Sequence, residues 1–160
     1  MTPLELQSAL KKRVEKAVID LLLNSSEGVQ KTIQVFEQHL PTKAKSSTRN
    51  PESTLYPCVI VYLDGGDRQD FGAPHQAKFF LVIGVYDEES NNQGYRDAIS
   101  IAQKIIQSLE RQPMIEGRFE LQYPLNWKYS DEENGPYHFA WIEANFELPH
   151  SKREDVEGYI

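Results

Sequence analysis

The sequence predicts an α+β fold, with a mixed, mainly antiparallel sheet of about five strands and two main helices packed on it. Three observations predict this class. Two segments carry apolar residues three or four positions apart, five segments read as strands, and the strands come in runs instead of alternating with helices. The predicted order is one helix, three strands, a second helix and two strands. A length of 160 residues predicts one domain over residues 1–150, followed by a polar C-terminal tail over residues 151–160.

The first helix is predicted near the beginning of the chain. Thr2 before Pro3 suits a helix start, and Glu5 stands where a capping box places its acid. Lysines and Glu15 occupy one face of this helix, and the segment NSSEG (Asn24–Gly28) is predicted to stop it. The other face carries apolar residues at helical spacing: Leu6, Leu10, Val14, Ala17, Val18, Leu21 and Leu22.

The next two segments are predicted to be a strand and a long loop. KTIQVFEQHLP is compatible with a short helix, but Ile33 and Val35 alternate with polar residues, which favours a strand. Residues 42–54 contain almost no apolar side chains. A segment of this length and composition is predicted to form a mobile surface loop.

Two apolar strands follow. YPCVIVYL (Tyr56–Leu63) is predicted to be buried because its apolar run is continuous. QAKFFLVIGVYD is longer and denser in apolar residues, which places it at the centre of the sheet. The connection between them, DGGDRQDFGAP, is rich in turn residues and is predicted to be flexible.

A second helix and two final strands complete the fold. GRFELQYPLNWKYS and YHFAWIEANFEL alternate as strands do, and DEENGP is predicted to be the turn between them. Pro113 ends the preceding helix. That helix is predicted by one apolar stripe: Tyr95, Ala98, Ile99, Ala102, Ile105, Ile106 and Leu109.

Composition excludes several classes of protein. A net charge of −7 argues against a protein that grips phosphate backbones. Cys58 is the only cysteine, so no internal disulfide is possible. The first residues do not resemble a signal peptide, and the longest apolar runs are far shorter than the ~20 residues that span a bilayer. We therefore expect no membrane partner and no specific nucleic-acid partner.

The stretch YDEESNNQGYRD (Tyr86–Asp97) is the strongest candidate for a ligand site. Counted from Asp87 as a calcium loop, its sixth and twelfth residues are Asn92 and Ala98, where such a loop has Gly and Glu. A phosphate loop needs several glycines and a lysine, which are missing here. The acids and amides are better explained as caps of a helix start, where negative charge is favourable.

The other polar clusters also fail the tests for chemistry. The stretch DGGD (Asp64–Asp67) lacks the further oxygen ligands that a hard cation needs, and a turn explains it. Cys58 lies in an apolar strand, where a small buried hydrophobe is the stronger interpretation. No two histidines stand at metal-binding spacing, whether with each other or with this cysteine. We therefore predict no catalytic, cofactor-binding or metal-binding residue, no cofactor and no enzymatic activity.

Aromatic residues gather in the last two predicted strands. Stacking on single-stranded bases would need basic neighbours, but only Arg118 and Lys128 supply positive charge nearby. Core packing and cross-strand pairing are the default interpretation, and any exposed members would suit a protein interface. The set is Tyr123, Trp127, Tyr129, Tyr137, Phe139 and Trp141.

Three stretches, read in order, carry a resemblance to a known family. They are YPCVIVYLDGGDRQD, FFLVIGVYDEESNNQGYRDAISIAQKIIQSL and GRFELQYPLNWKYSDEENGPYHFAWIEANFELP. The first motif is a Tyr-Pro strand followed by an acidic turn. The next two are a strand ending in Tyr-Asp and a helix start with the sequence Gly-Tyr-Arg-Asp. The last two are a Tyr-Pro-Leu-x-Trp strand and a closing strand ending in Leu-Pro. Over residues 55–149 the chain resembles the tail-terminator or tail-completion (minor tail) proteins of long-tailed bacteriophages and prophages.

The resemblance implies a structural role in virion assembly. It implies a homo-oligomeric ring, with six subunits expected, that caps the tail tube and joins it to the head connector. The implied partners are therefore other copies of this chain, the tail-tube protein and the head-connector protein. It also implies an α+β fold with no cofactor and no reaction, located in the virion tail and in the host cytoplasm during assembly. DNA would pass through the ring, and the negative charge would suit such a channel.

Two other functions stay open at this point. One is another phage head–tail connector or tail-tube component, and the other is a small metal-dependent hydrolase that uses the acidic turns. For subunit contacts, the two long connections are the first candidates, since both can reach outside the domain. One is the loop over residues 42–54. The other supplies the predicted interface residues: Asp64, Gly65, Gly66, Asp67, Arg68 and Phe71.

Overall fold

The structure, a computed structural model, describes residues 2–24, 30–41, 52–88, 93–130 and 135–149. Two α-helices form, together with one turn of 3₁₀ helix over Glu52–Leu55: α1 (Pro3–Val18) and α2 (Gln93–Arg111). Eight strands accompany them in the described residues: β1 (Leu22–Asn24), β2 (Gln30–Thr32), β3 (Gln34–Glu37), β4 (Cys58–Asp67), β5 (His75–Tyr86), β6 (Met114–Ile115), β7 (Phe119–Tyr129) and β8 (Tyr137–Leu148). No described helix is long and apolar enough to cross a membrane.

The main sheet has six strands in the order β3-β4-β5-β8-β7-β6. All neighbours are antiparallel except β3 and β4, so the predicted α+β class with a mainly antiparallel sheet is confirmed. β5 pairs with β4 and β8, which confirms its central position.

The main sheet has six strands where about five were predicted, and β1 and β2 form a separate two-stranded sheet. KTIQVFEQHLP is indeed extended, but the chain leaves the strand at Ile33, so β2 pairs with β1 while β3 joins the main sheet. β6 contains only two residues, which is too short to produce a periodic pattern.

Both helices pack on the same face of the main sheet. The buried side chains of α1 and α2 share one apolar cluster with alternate residues of the central strands, such as Phe79 of β5 and Phe146 of β8. These two rings meet edge to face, with centroids 6.1 Å apart. On the opposite face, Phe80, Val82 and Trp141 are half-buried. The strands therefore alternate between a covered face and a more open one.

The beginning of α1 is as predicted, but its end is not. The backbone N–H of Glu5 donates to Thr2 Oγ1 at 3.2 Å, which is the expected cap. The helix ends at Val18, so the prediction that it includes Leu21 and Leu22 is wrong. Leu21 still packs against the core from a non-helical backbone, which explains why the apolar spacing continues beyond the helix.

The apolar stripe of α2 is largely confirmed, and the helix ends before Pro113. Tyr95 and Ile99 were predicted to face the core, yet Tyr95 is exposed and Ile99 is only half-buried. Ile101, which was not part of the predicted stripe, is fully buried. The buried face is therefore rotated slightly away from Tyr95.

A pair of amide side chains, the buried Gln7 and the half-buried Gln38, connects α1 to the sheet. Gln7 is only 5 % exposed, and its Nε2 donates to Gln38 Oε1 at 2.8 Å and to the backbone oxygen of Val61 at 2.9 Å. Gln38 follows β3 with a φ of 66° and pairs with both backbone groups of Leu63. We call Gln7 and Gln38 the glutamine latch.

Several predicted segments are described only in part or not at all. Residues 25–28 of the predicted helix stop NSSEG and residues 131–134 of the predicted turn DEENGP lie outside the described residues. Residues 42–51 of the predicted loop also lie outside them, and residues 52–54 belong to the 3₁₀ turn, where Leu55 is buried. The predicted tail over residues 151–160 also lies outside them.

Candidate interaction surfaces

Strands β4 and β5 stay paired as far as Asp67 and Gln76, and residues 68–74 connect them. Gly65, Gly66 and Asp67 pair with Lys78, Ala77 and Gln76, after a bulge that follows Leu63. The prediction that Asp64–Asp67 form a turn is therefore wrong. Glycine and aspartate are rare in strands, which is why the sequence pattern favoured a turn. We call residues 64–76 the hairpin arm.

All six predicted interface residues lie on the hairpin arm, and all six are exposed. Phe71, near its tip, is 72 % exposed, which is unusual for a large apolar side chain. Asp70 shapes the tip, because its Oδ1 accepts from Gly72 N at 2.9 Å and its backbone oxygen accepts from Ala73 N at 3.2 Å. The arm thus presents an aromatic side chain on a hydrogen-bonded turn.

The hairpin arm lies beside the N-terminal end of α1. A hollow of ≈ 520 Å³ is lined by residues of the arm together with Pro3, the first residue of that helix. Leu4, one residue further along α1, is also exposed. This end of the domain therefore combines two exposed apolar side chains with the charged residues of the arm.

A second surface runs along α2 and β7. Tyr95, Tyr123 and Trp127 are all exposed, and we call these three residues the aromatic ridge. The ring of Tyr95 meets Tyr129 edge to face at 5.0 Å. Tyr123 Oη donates to Glu110 Oε2 at 3.0 Å, and this hydrogen bond raises the pKa of Tyr123. Tyrosine and tryptophan are enriched at protein interfaces, so the ridge is a candidate contact surface.

The predicted aromatic cluster of the last two strands is divided between environments. Tyr123 and Trp127 belong to the exposed ridge. Tyr137 and Phe139 pack with the buried Tyr56 in a small separate cluster on the open face of the sheet, and Trp141 is half-buried on that face. Core packing and surface exposure therefore both occur within one sequence cluster.

The outer edge of β7 supports the same surface. β6 pairs only with Phe119 and Glu120, so from Gln122 onward no described strand neighbours this edge. A bulge between Gln122 and Asn126 interrupts the pairing of β7 with β8. An unpaired strand edge offers backbone donors and acceptors to another chain.

A polar cluster lies at the beginning of α2. Tyr129 Oη and His138 Nδ1 are 3.0 Å apart, and Asp87 is buried close by. Burial raises the pKa of Asp97, the charge of Asp87 adds to this rise, and the hydrogen bond from Gln93 opposes it. The close contact of His138 with the first turn of α2 requires a glycine at position 94, because a Cβ there would lie 2.3 Å from His138 Cδ2.

The acids before α2 were predicted to cap the helix, and this stays a prediction. The helix begins at Gln93, and residues 89–92 lie outside the described residues. Glu88 instead accepts a hydrogen bond from Tyr86 Oη, and this bond raises the pKa of Tyr86 to about 12.

The ligand candidates of the sequence are widely separated in the structure. Asp64 and Asp67 lie exposed on the hairpin arm, whereas Cys58 is buried in β4, as predicted. Within the described ranges, no three His, Cys, Asp or Glu side chains are placed to hold a metal ion. His150 lies outside those ranges.

Comparison with known proteins finds similar solved structures. No family model matches the chain, and no curated protein matches it. Among solved structures, the fold is similar to a chain from the "Virion of native gene transfer agent (GTA) particle", with 11% sequence identity and a TM-score of 0.42. The alignment covers 89% of this chain and 93% of that chain.

Proposed function

We propose that this protein is a tail terminator of a phage-like particle: a structural subunit that forms a six-membered ring, caps the tail tube and joins it to the head connector. The proposal rests first on the order of motifs over residues 55–149, which resembles that family. It assigns the chain no reaction, cofactor or resident metal. The acidic turns that an alternative hydrolase would need lie apart in the fold, with Asp64 on the hairpin arm and Asp87 beside α2.

The observation that carries the proposal is that two exposed, partly apolar surfaces lie on different elements. The hairpin arm extends the β4–β5 pair and presents Phe71, while the aromatic ridge follows α2 and β7. A ring that closes by rotation needs two different patches on each subunit, since each contact is head to tail. A subunit that caps a tube and meets a connector needs further surfaces as well.

The charge of the chain is compatible with a DNA channel. At −7 overall, a ring of such subunits repels a duplex on average, so DNA passes through without adhering. In this proposal the contacts of the protein with its partners are specific, and its contact with DNA is not.

The position of the protein on assembled particles tests this function. Tails assembled without this chain are incubated with the purified protein and labelled with an antibody against it for electron microscopy. We expect label at one end of each tail, the end that later joins heads, and recovery of head joining. Label along the tail tube, or on isolated heads alone, would instead indicate the alternative tube or connector role.

A matched pair of variants tests the contribution of the hairpin arm. Replacing Phe71 by Ser removes the exposed ring, whereas replacing it by Tyr preserves the ring. We expect Phe71→Ser to reduce end labelling at least about tenfold, because buried aromatic anchors dominate many interfaces. Phe71→Tyr should label as well as the natural chain. Equal labelling by both variants would show that the arm tip makes no contact in the assembled tail.

A further inference from the structure

A groove between α1 and α2 gathers positive charge in an otherwise acidic chain. Its volume is ≈ 440 Å³, and four cationic side chains line it against a single acid, Asp20. The cations are Arg13, Lys16, Lys104 and Arg111, and we call this feature the basic groove. The neutral lining includes Ala17, and Ile19 beyond the end of α1 is 65 % exposed. The groove therefore offers positive charge with some apolar surface.

Arg13 holds the two walls of the groove together. Its guanidinium donates to the backbone oxygens of Gln112 at 2.7 Å and of Ser108 at 3.4 Å, at the C-terminal end of α2. Cations at this position satisfy the last carbonyls of a helix. Lys16, Lys104 and Arg111 form no ion pair with any described residue, so their charge is available to a partner.

The hairpin arm carries the complementary charge. Asp64, Asp67 and Asp70 outnumber Arg68, and the exposed ring of Phe71 lies among them. An acidic turn with one aromatic anchor complements a cationic groove that has a small apolar patch at Ala17.

The two surfaces lie at opposite ends of α1. The hairpin arm lies beside Pro3, and the basic groove begins at Arg13 and continues past Lys16. From Pro3 to Lys16 the helix rises about 20 Å, at about 1.5 Å per residue. This separation gives one subunit a donor surface and an acceptor surface that do not overlap.

We infer that the hairpin arm of one copy docks in the basic groove of the next copy. This inference rests on the proposed ring-forming function and names its subunit contact. Because the two patches differ, the contact is heterologous and repeats around a ring. Acids of the arm pair with Lys16, Lys104 and Arg111, and Phe71 covers the apolar surface near Ala17.

Charge exchange tests the docking. Two full-length variants are studied alone and then combined in one chain. The groove variant is Lys16→Glu with Lys104→Glu, and the arm variant is Asp64→Lys with Asp67→Lys. Subunit association is measured by sedimentation velocity, after the thermal midpoint has shown that each chain is folded. We expect each separate variant to weaken association at least about tenfold, and the combined chain to regain it, since like charges across an interface repel.

A control variant keeps the same change in net charge away from the groove. Lys11 is turned about 140° around α1 from Lys16, and Arg118 precedes β7, so neither side chain lines the groove. Lys11→Glu with Arg118→Glu should associate like the natural chain. Association of the natural chain should also weaken between about 0.1 M and about 1 M salt, where the screening length falls from about 10 to about 3 Å.

Zero-length carbodiimide cross-linking identifies the contact directly and does not depend on the charge variants. Labelled (¹⁵N) and unlabelled full-length protein are mixed, either alone or on tail tubes, and cross-linked. We expect peptides of hybrid mass that join Lys16 or Lys104 to an acid of the arm. Cross-links confined to one chain, or to other acids, would overturn the inference.

The remaining outcomes separate this inference from the proposed function. Unchanged association of the groove variant, or a loss equal to that of the control, would overturn the docking but leave the assembly role intact. If the groove variant associates normally and loses only binding to DNA, the groove is a nucleic-acid site. This outcome would also overturn the docking and leave the assembly role intact. A natural chain that never associates, alone or on tail tubes, would overturn both.

Discussion

At the scale of single residues, two adjacent glycines of β4 differ in what their surroundings allow. A Cβ added at Gly66 would lie 2.3 Å from the backbone oxygen of Gln76, across the β4–β5 pair. A Cβ added at Gly65 would meet nothing within 4 Å. Gly66 is therefore needed for the close approach of the two strands, whereas Gly65 is not.

We predict that Gly66→Ala destabilises the hairpin arm and that Gly65→Ala does not. A backbone oxygen cannot move aside cheaply, so Gly66→Ala should lower the free energy of unfolding by about 1–3 kcal/mol. Gly65→Ala should change it by less than about 0.5 kcal/mol, as exposed substitutions usually do. Denaturant unfolding measures both, and hydrogen exchange at Asp67 and Gln76 shows whether the loss is local. Equal stability of the two variants would contradict the close pairing of β4 with β5 at Gly66.

At the scale of elements, the glutamine latch connects α1, the end of β3 and β4. Gln38 Nε2 donates to Leu63 O at 3.1 Å, and Leu63 N donates to Gln38 Oε1 at 2.9 Å. The same Oε1 accepts from Gln7. One side chain therefore completes hydrogen bonds on two other elements.

We predict that Gln38→Ala lowers the free energy of unfolding by about 1–3 kcal/mol, because it removes the hydrogen bonds of this side chain to Gln7 and to both backbone groups of Leu63. Alanine keeps a Cβ at the positive φ of 66°, so the change reports the lost hydrogen bonds more than backbone strain. Gln107→Ala, on the exposed face of α2, is the matched control and should have little effect. Thermal unfolding of both variants measures the difference, and a tolerated Gln38→Ala would show that the latch is not structural.

The elements also show how far sequence patterns reach. The spacing of apolar residues predicted α2 and the long strands, because each of these elements buries one face. Leu109 lies on the buried face of α2, and burial alternates along β8. It failed where tertiary contacts override local preference: Asp64–Asp67 are extended because β5 pairs with them, and Leu21 is buried after the helix has ended. The latch and the basic groove were not predicted, since their residues are far apart in the sequence and meet only in the fold.

The six interface residues were predicted from loop length and glycine content, and the structure brings them together on one exposed arm. Their role in subunit contact stays a prediction. Exposure of Phe71 could not be read from the sequence, because a phenylalanine in a turn is equally compatible with packing against the domain.

At the scale of the whole molecule, the fold separates its possible contacts. The hairpin arm lies beside the first residue of α1, the basic groove lies toward the other end of that helix, and the aromatic ridge follows α2 and β7. Head-to-tail contacts between unlike patches either close into a ring or continue into a filament, depending on the rotation between neighbours. The proposed tail-terminator role requires that these contacts close into a ring.

The mass of the assembled species is the most direct test of the proposed six-membered ring. Light scattering after size separation, over a wide range of protein concentration and with tail tubes added, gives the number of subunits in each species. We expect one closed species of six subunits, whose mass stays constant as the protein concentration rises. A chain that stays monomeric at every concentration and on tail tubes, or one that grows without limit, would contradict it.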